Sequence, residues 1–171
     1  MKFNFRRPDF PAGISVWHPA SLVAHWFGSG LMPFATGTWG SLAALPFAVV
    51  IVWTSGAAGL AVATVAISLL GWWASETLMR TGTVNDPGYI VVDEVAGMWL
   101  TLLAAPLTWW AYALGFLLFR AADIVKPFPA GWCDRNVHGG LGVMLDDLAA
   151  AVWSAVALWL AVQVLGALGW V

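Results

Sequence analysis

Six of the nine acidic residues in this chain, Asp93, Glu94, Asp123, Asp134, Asp146 and Asp147, stand in or beside stretches that otherwise carry no charge. Asp93-Glu94 immediately precedes one apolar run, Asp146-Asp147 immediately precedes another, and Asp123 follows Arg120 at the end of a third. A single carboxylate at a helix N-terminus is stabilised by the exposed amides and the helix dipole, typically by ~0.3–1 kcal/mol. One cap suffices for one helix, however, and a second acid beside it repels the first. Adjacent pairs at two places therefore favour a divalent cation over separate caps. Hard cations such as Mg²⁺ take oxygen ligands, a few carboxylates completed by water and substrate phosphate, without Cys or a His cluster. The single cysteine, Cys133, excludes an internal disulfide and a thiolate-rich metal centre.

Phosphate binding has its own candidates. Gly37-Thr38-Trp39-Gly40-Ser41 sets two glycines, which allow close backbone approach, beside the hydroxyls of Thr38 and Ser41 ahead of an apolar run. Free N–H groups at a helix start attract anions, although the motif alone favours a plain turn with Ser41 as N-cap. Arg120, Lys126 and Arg135 share one window with Asp123; they pair with carboxylates, bind a phosphorylated headgroup, or snorkel toward anionic lipid. Familiar phosphatase signatures do not occur. The position six after Cys133 is Gly139 rather than Arg, Asp93 is followed by Glu94 and Val95 rather than by x-Asp, and there is no Ser-Gly-His tripeptide or Gly-x-x-x-x-Gly-Lys-Ser/Thr loop. His138, ahead of Gly139-Gly140, is a candidate acid or base and more plainly a bystander.

The elements that must position these groups follow from composition. The chain has 171 residues, of which 61% are hydrophobic, against 7 Lys+Arg and 9 Asp+Glu, with mean hydropathy +0.82 and net charge −2. An ordinary soluble domain is about one-quarter charged, and a disordered chain needs low hydrophobicity; neither fits. Nucleic acid is excluded as a partner, because so few scattered cations make no phosphate-neutralising stripe. Every charge lies in residues 2–9, 76–94 or 120–147, as expected where an ionised group inside a bilayer costs several kcal/mol. Between the windows run five apolar arms, Ser41–Thr54, Ala57–Leu78, Val95–Ala105, Leu107–Phe119 and Leu148–Leu168, with breaks at Ser55-Gly56 and Pro106.

The first, third and fourth arms reach only ~17–21 Å, short of a ~30 Å hydrocarbon layer, while the second and fifth could span it. Pairing arms one with two and three with four as hairpins puts all charged windows on one side, and their Lys and Arg residues put that side in the cytoplasm. Several of the 13 tryptophans lie near arm ends, at headgroup level. The N-terminus shows no cleavable signal, its first forty residues stay on the cytoplasmic side, and residues 1–171 read as a single domain. The expected fold is all-α, an integral membrane helical bundle with short hydrophobic hairpins and polar loops gathered on the cytoplasmic face.

Four ordered segments then carry a resemblance: Gly37-Thr38-Trp39-Gly40-Ser41; Asp86-Pro87-Gly88-Tyr89-Ile90-Val91-Val92-Asp93-Glu94-Val95-Ala96-Gly97; Arg120-Ala121-Ala122-Asp123-Ile124-Val125-Lys126-Pro127-Phe128-Pro129; and Gly140-Leu141-Gly142-Val143-Met144-Leu145-Asp146-Asp147. From Gly28 to Ala151 the chain resembles the phosphatidylglycerophosphatase A family of bacteria, departing from it at Thr36, where the family often has Pro, and at Ala122, where it often has an aromatic. The resemblance implies a Mg²⁺-dependent phosphatase that converts a phospholipid, phosphatidylglycerol phosphate, to phosphatidylglycerol and inorganic phosphate at the cytoplasmic face of the inner membrane. It implies that Asp93, Glu94, Asp123, Asp146 and Asp147 hold one or two Mg²⁺ ions, that Lys126 and Arg120 stabilise charge at the phosphate, and that Thr38, Ser41, Asp86 and Arg135 serve the same pocket. Two alternatives stay open. One is a phosphatase of another lipid or a soluble phosphomonoester; the other is a non-enzymatic transporter or assembly factor, which would place acids within the arms. The oligomeric state is not legible.

Overall fold

The computed structural model describes residues 14–81 and 87–169. A short helix α1 (Pro19–Ala24) and a 3₁₀ segment (Trp26–Leu31) precede α2 (Thr36–Thr81), α3 (Val92–Leu102), α4 (Trp109–Val125), α5 (Ala130–Asn136) and α6 (Gly139–Ala167). Among the described residues there is no strand.

α2 is two arms, not one rod. Gly56 has φ 66° and ψ −170°, a conformation open to glycine and strained for other residues, and it breaks the helix there. On either side of the break, Gly40 packs against Val91 and Gly71 against Val92. Along a straight helix these glycines would lie ~46 Å apart, so residues 36–55 and 57–81 must fold back on one another. The second hairpin turns between α3 and α4, where Pro106 cannot donate an amide and Thr108 N–H donates to its carbonyl at 2.7 Å. Both breaks stand where the punctuation residues predict them. The starts of α2, α3 and α6 and the ends of α2 and α4 therefore meet at one end of the bundle, which carries every charge of the described residues.

α3 is the central element. Val92, Val95, Ala96, Met98, Trp99 and Leu102 are buried on all sides of it, and Trp99 Nε1 donates to the Ala44 carbonyl on α2 at 3.0 Å. Trp26 packs edge-on against both Trp99 and Phe47, so the segment before α2 closes one flank of this core. The outer faces are different. α2 and α6 are long and apolar enough to cross a membrane, yet only 17% and 22% of their most apolar windows are buried. The core helix of a soluble protein would be mostly covered. Instead Trp53, Val62, Val65, Trp159 and Val164 face outward, an apolar surface suited to lipid. The protein is an all-helical, membrane-associated bundle.

Several element bounds differ from those read in the sequence. α2 starts at Thr36, so Gly37–Ser41 is not a loop ahead of the first arm but its opening turns. α4 continues to Val125, giving it ~25 Å instead of the expected ~20 Å. α6 starts at Gly139, nine residues before the expected Leu148, and Asp146-Asp147 therefore lies ~10–12 Å along it, inside the helix. The reason is helix contact. Glycine is a poor helix former, but Gly140 lies so close to α2 that a Cβ would stand 2.4 Å from Glu76 N, and Glu76 Oε2 accepts the Gly140 N–H at 2.9 Å. An α2 carboxylate thus caps α6 from outside its own segment. α5 was not expected at all.

Candidate active site

The acids converge where α3 begins. Carboxylate oxygens of Asp93, Glu94 and Asp147 all lie within 4.8 Å of one another. Asp93 and Glu94 come from the first turn of α3, and Asp147 reaches them from the third turn of α6. Asp123, in the last turn of α4, adds a fourth acid whose negative charge bears on Glu94 and Asp147. It also holds Arg120, whose Nη1 is 2.7 Å from Asp123 Oδ2 and 4.0 Å from Glu94 Oε1. Gly37 forms the floor: a Cβ there would lie 2.1 Å from Glu94 Oε1 and 3.0 Å from Arg120 Nη1.

Fully ionised, the four carboxylates and one guanidinium sum to −3 in a pocket where each side chain is buried or nearly so. Such a site needs bound cations or retained protons. Burial holds the Glu94 carboxyl above its usual range, and the Asp123 charge adds to this, while a hydrogen bond with Asp93 and the Arg120 charge oppose it. Glu94 Oε2 and Asp147 Oδ2 are buried without a hydrogen-bond partner. Buried polar atoms are rarely left so. Hard, all-oxygen donors, clustered and partly unsatisfied, fit a divalent cation such as Mg²⁺.

A second polar cluster stands beside the first. Lys126, the C-cap of α4, adopts the left-handed conformation (φ 48°, ψ 61°). Its Nζ donates to Asp146 Oδ2 at 2.6 Å and to Asp134 Oδ1 on α5. Burial disfavours the ammonium, but the bonds to Asp134 and Asp146 outweigh this and raise its pKa. Successive residues on a helix point ~100° apart, which is why Asp147 meets Asp93 and Glu94 while its neighbour Asp146 meets Lys126.

The structure thus brings together Asp93, Glu94, Asp123, Asp147 and Arg120, and sets Asp146, expected as a cation ligand, on Lys126 instead. Lys126, expected at the phosphate, is engaged by two carboxylates. Ser41 is fully buried and its hydroxyl donates to the Gly37 carbonyl at 2.8 Å, because it lies inside α2 and not at its start. The Thr38 N–H donates to the Ala35 carbonyl at 2.9 Å, so it is not one of the free amides expected for a phosphate. Arg135 is exposed on α5, and Asp86 lies outside the described residues. Two participants were not expected in their roles: Asp134, whose pairing with Lys126 no local spacing signals, and Gly37, which serves as clearance for Glu94 rather than as an anion loop. Acids within an arm are what a transporter would carry, but Asp146 and Asp147 join groups gathered at one end of the bundle.

Fold and site define a membrane-associated helical protein with buried carboxylates collected at one end. The family model for phosphatidylglycerophosphatase A matches residues 22–162. Over 140 residues the chain is 45% identical to a phosphatidylglycerophosphatase A of Escherichia coli K12, covering 81% of this chain and 79% of that one. The Haemophilus influenzae phosphatidylglycerophosphatase A is 38% identical over 84% of this chain and 88% of its own. A Bacteroides thetaiotaomicron protein with the provisional name phosphatidylinositol-3-phosphatase is 39% identical over 85% and 94%. No solved structure matches. The chain belongs to the phosphatidylglycerophosphatase A family and is a phosphatase.

Proposed function

We propose that this protein hydrolyses the terminal phosphomonoester of phosphatidylglycerol phosphate, releasing phosphatidylglycerol and inorganic phosphate, in a Mg²⁺-dependent reaction at the cytoplasmic face of the bacterial inner membrane. Membership of the family supports the substrate. The observation that carries the site is the meeting of Asp93, Glu94 and Asp147 within 4.8 Å, with Glu94 Oε2 and Asp147 Oδ2 buried and unsatisfied. These three would hold the cation, and Asp123 would neighbour it. Bound there, Mg²⁺ supplies Lewis-acid chemistry, neutralising phosphate oxygens and making water more acidic. Arg120, fixed by Asp123, presents a charged donor beside the same pocket and is suited to the charge that shifts as the phosphorus–oxygen bond breaks. The apolar flanks of α2 and α6 leave the acyl chains of the substrate in hydrocarbon while the phosphate reaches the charged end. Arg80, Arg120, Lys126 and Arg135 share that end, which supports a cytoplasmic orientation and multi-pass insertion.

The Bacteroides relative supports a second reading, a phosphatase of a phosphorylated inositol lipid. Both are tested with detergent-solubilised protein offered each lipid. Phosphate release from phosphatidylglycerol phosphate is expected, lost on chelation and restored by Mg²⁺, and Asp147→Asn should abolish it while the protein stays folded and inserted. Near-normal turnover by Asp147→Asn, or turnover insensitive to chelation, would overturn the cation role. Release from the inositol lipid alone would overturn the substrate.

A further inference from the structure

Beside the acid centre, a cavity of about 290 Å³ opens between the α5–α6 junction and the end of α2. Asp134, His138 and Asp146 form its polar side, and Met79, Val137 and Val143 its apolar side. The reaction as read above uses none of this space. It is nonetheless tied to the site, because Asp146 lines the cavity while Asp147, the next residue on α6, belongs to the acid centre.

We propose that this cavity is the headgroup-reading pocket, taking the outer glycerol of the lipid phosphate by the one free hydroxyl between its two phosphate esters, while the terminal phosphate lies at the acid centre; the inference rests on the proposed function. The charge at its wall disfavours seating the terminal phosphomonoester itself in this space. Asp134 and Asp146 against Lys126 sum to −1, and each carboxylate is paired with the ammonium. An ionised carboxylate only accepts hydrogen bonds and has room for several, so Asp134, bound to Lys126 through one oxygen, retains capacity for a hydroxyl donor. His138 is exposed at the N-cap of α6 with no capping bond to its own helix. Its ring offers both a donor and an acceptor when neutral, as a hydroxyl does. The apolar wall suits the carbon face of a polyol. A cavity of about 290 Å³ is ample for a three-carbon unit. Lys126 occupies the place an added cation would take, which disfavours an amine headgroup.

The experiment compares phosphatidylglycerol phosphate with phosphatidic acid, which carries the phosphomonoester but no outer glycerol, using full-length protein in mixed micelles. The wild type should show kcat/KM at least tenfold higher on phosphatidylglycerol phosphate. H138F, which fills the rim, and D134A, which removes an acceptor, should each raise KM for that lipid about tenfold or more, with kcat and Tm little changed and phosphatidic acid turnover unaffected. D134N, which still offers Lys126 an oxygen, should fall between. A wild type that treats both lipids alike would overturn the pocket, as would variants that lower both substrates equally, lose kcat alone, or leave KM unmoved. A wild type that releases phosphate from neither lipid would instead overturn the proposed function.

Discussion

Gly37→Ala separates chemistry from stability more sharply than removal of any acid. The added Cβ would lie 2.1 Å from Glu94 Oε1, against 3.4 Å for ordinary van der Waals contact, so the carboxylate must retreat by about 1.3 Å. Arg120 Nη1, at 3.0 Å, must give by a few tenths of an ångström. Both obstacles are ends of flexible side chains, not backbone, and Gly37 lies in the first turn of α2, where alanine gains ~0.5–1 kcal/mol over glycine. Folding stability should therefore be unchanged or slightly higher. Activity should not survive as well: a displacement of ~1 Å in positioned groups costs roughly 10²-fold. The assay pairs kcat/KM for phosphate release with thermal melting and Mg²⁺ titration of the same preparation. Loss of about 10²-fold with weakened Mg²⁺ binding and an unchanged Tm is expected. Activity within about threefold of wild type would refute the placement of Glu94 in the site, and a large fall in Tm would refute the claim that its carboxylate is free to yield.

Gly140→Ala should do the opposite, since its Cβ would meet backbone, Glu76 N at 2.4 Å and Trp72 O at 2.7 Å; overpacking of about 1–3 kcal/mol is expected, read as a lower Tm, and an unchanged Tm would mean α2 and α6 do not abut so closely. Lys126→Met leaves Asp146 without this partner in a largely buried place, and should lower the Tm at neutral pH by the equivalent of about 1–3 kcal/mol, less than a fully buried pair because Lys126 is partly exposed. The same pair predicts an alkaline limit. With the folded pKa of Lys126 above its ordinary 10.5, its contribution is complete below that pH and fades as pH rises through the higher folded value. Melting in detergent from pH 8 to 11.5 should show a wild-type decline above about pH 10.5 that is shallower in Lys126→Met, whereas parallel curves would dismiss the pair as a stabilising contact.

Membrane character, the two hairpins and the gathering of charge at one end were legible in the chain, because each depends on properties that act over a few residues. An ionised group is costly in hydrocarbon wherever it falls, Gly56 permits a backbone that other residues resist, and Pro106 lacks its amide regardless of neighbours. The ordered motifs likewise pointed to the family before any coordinates. Which acid does what was not legible. Asp146 and Asp147 are identical side chains one residue apart, and only the rotation of α6 sends one to Asp93 and Glu94 and the other to Lys126. That rotation is set by contacts far off in sequence, Gly140 against Glu76 and Gly71 against Met144. The same close packing converts two apparent loops, 37–41 and 139–147, into helix, against the low propensity of their glycines. Composition and spacing assign residues to an environment; the division of labour between like residues is decided by helix-to-helix approach, a property of the folded whole.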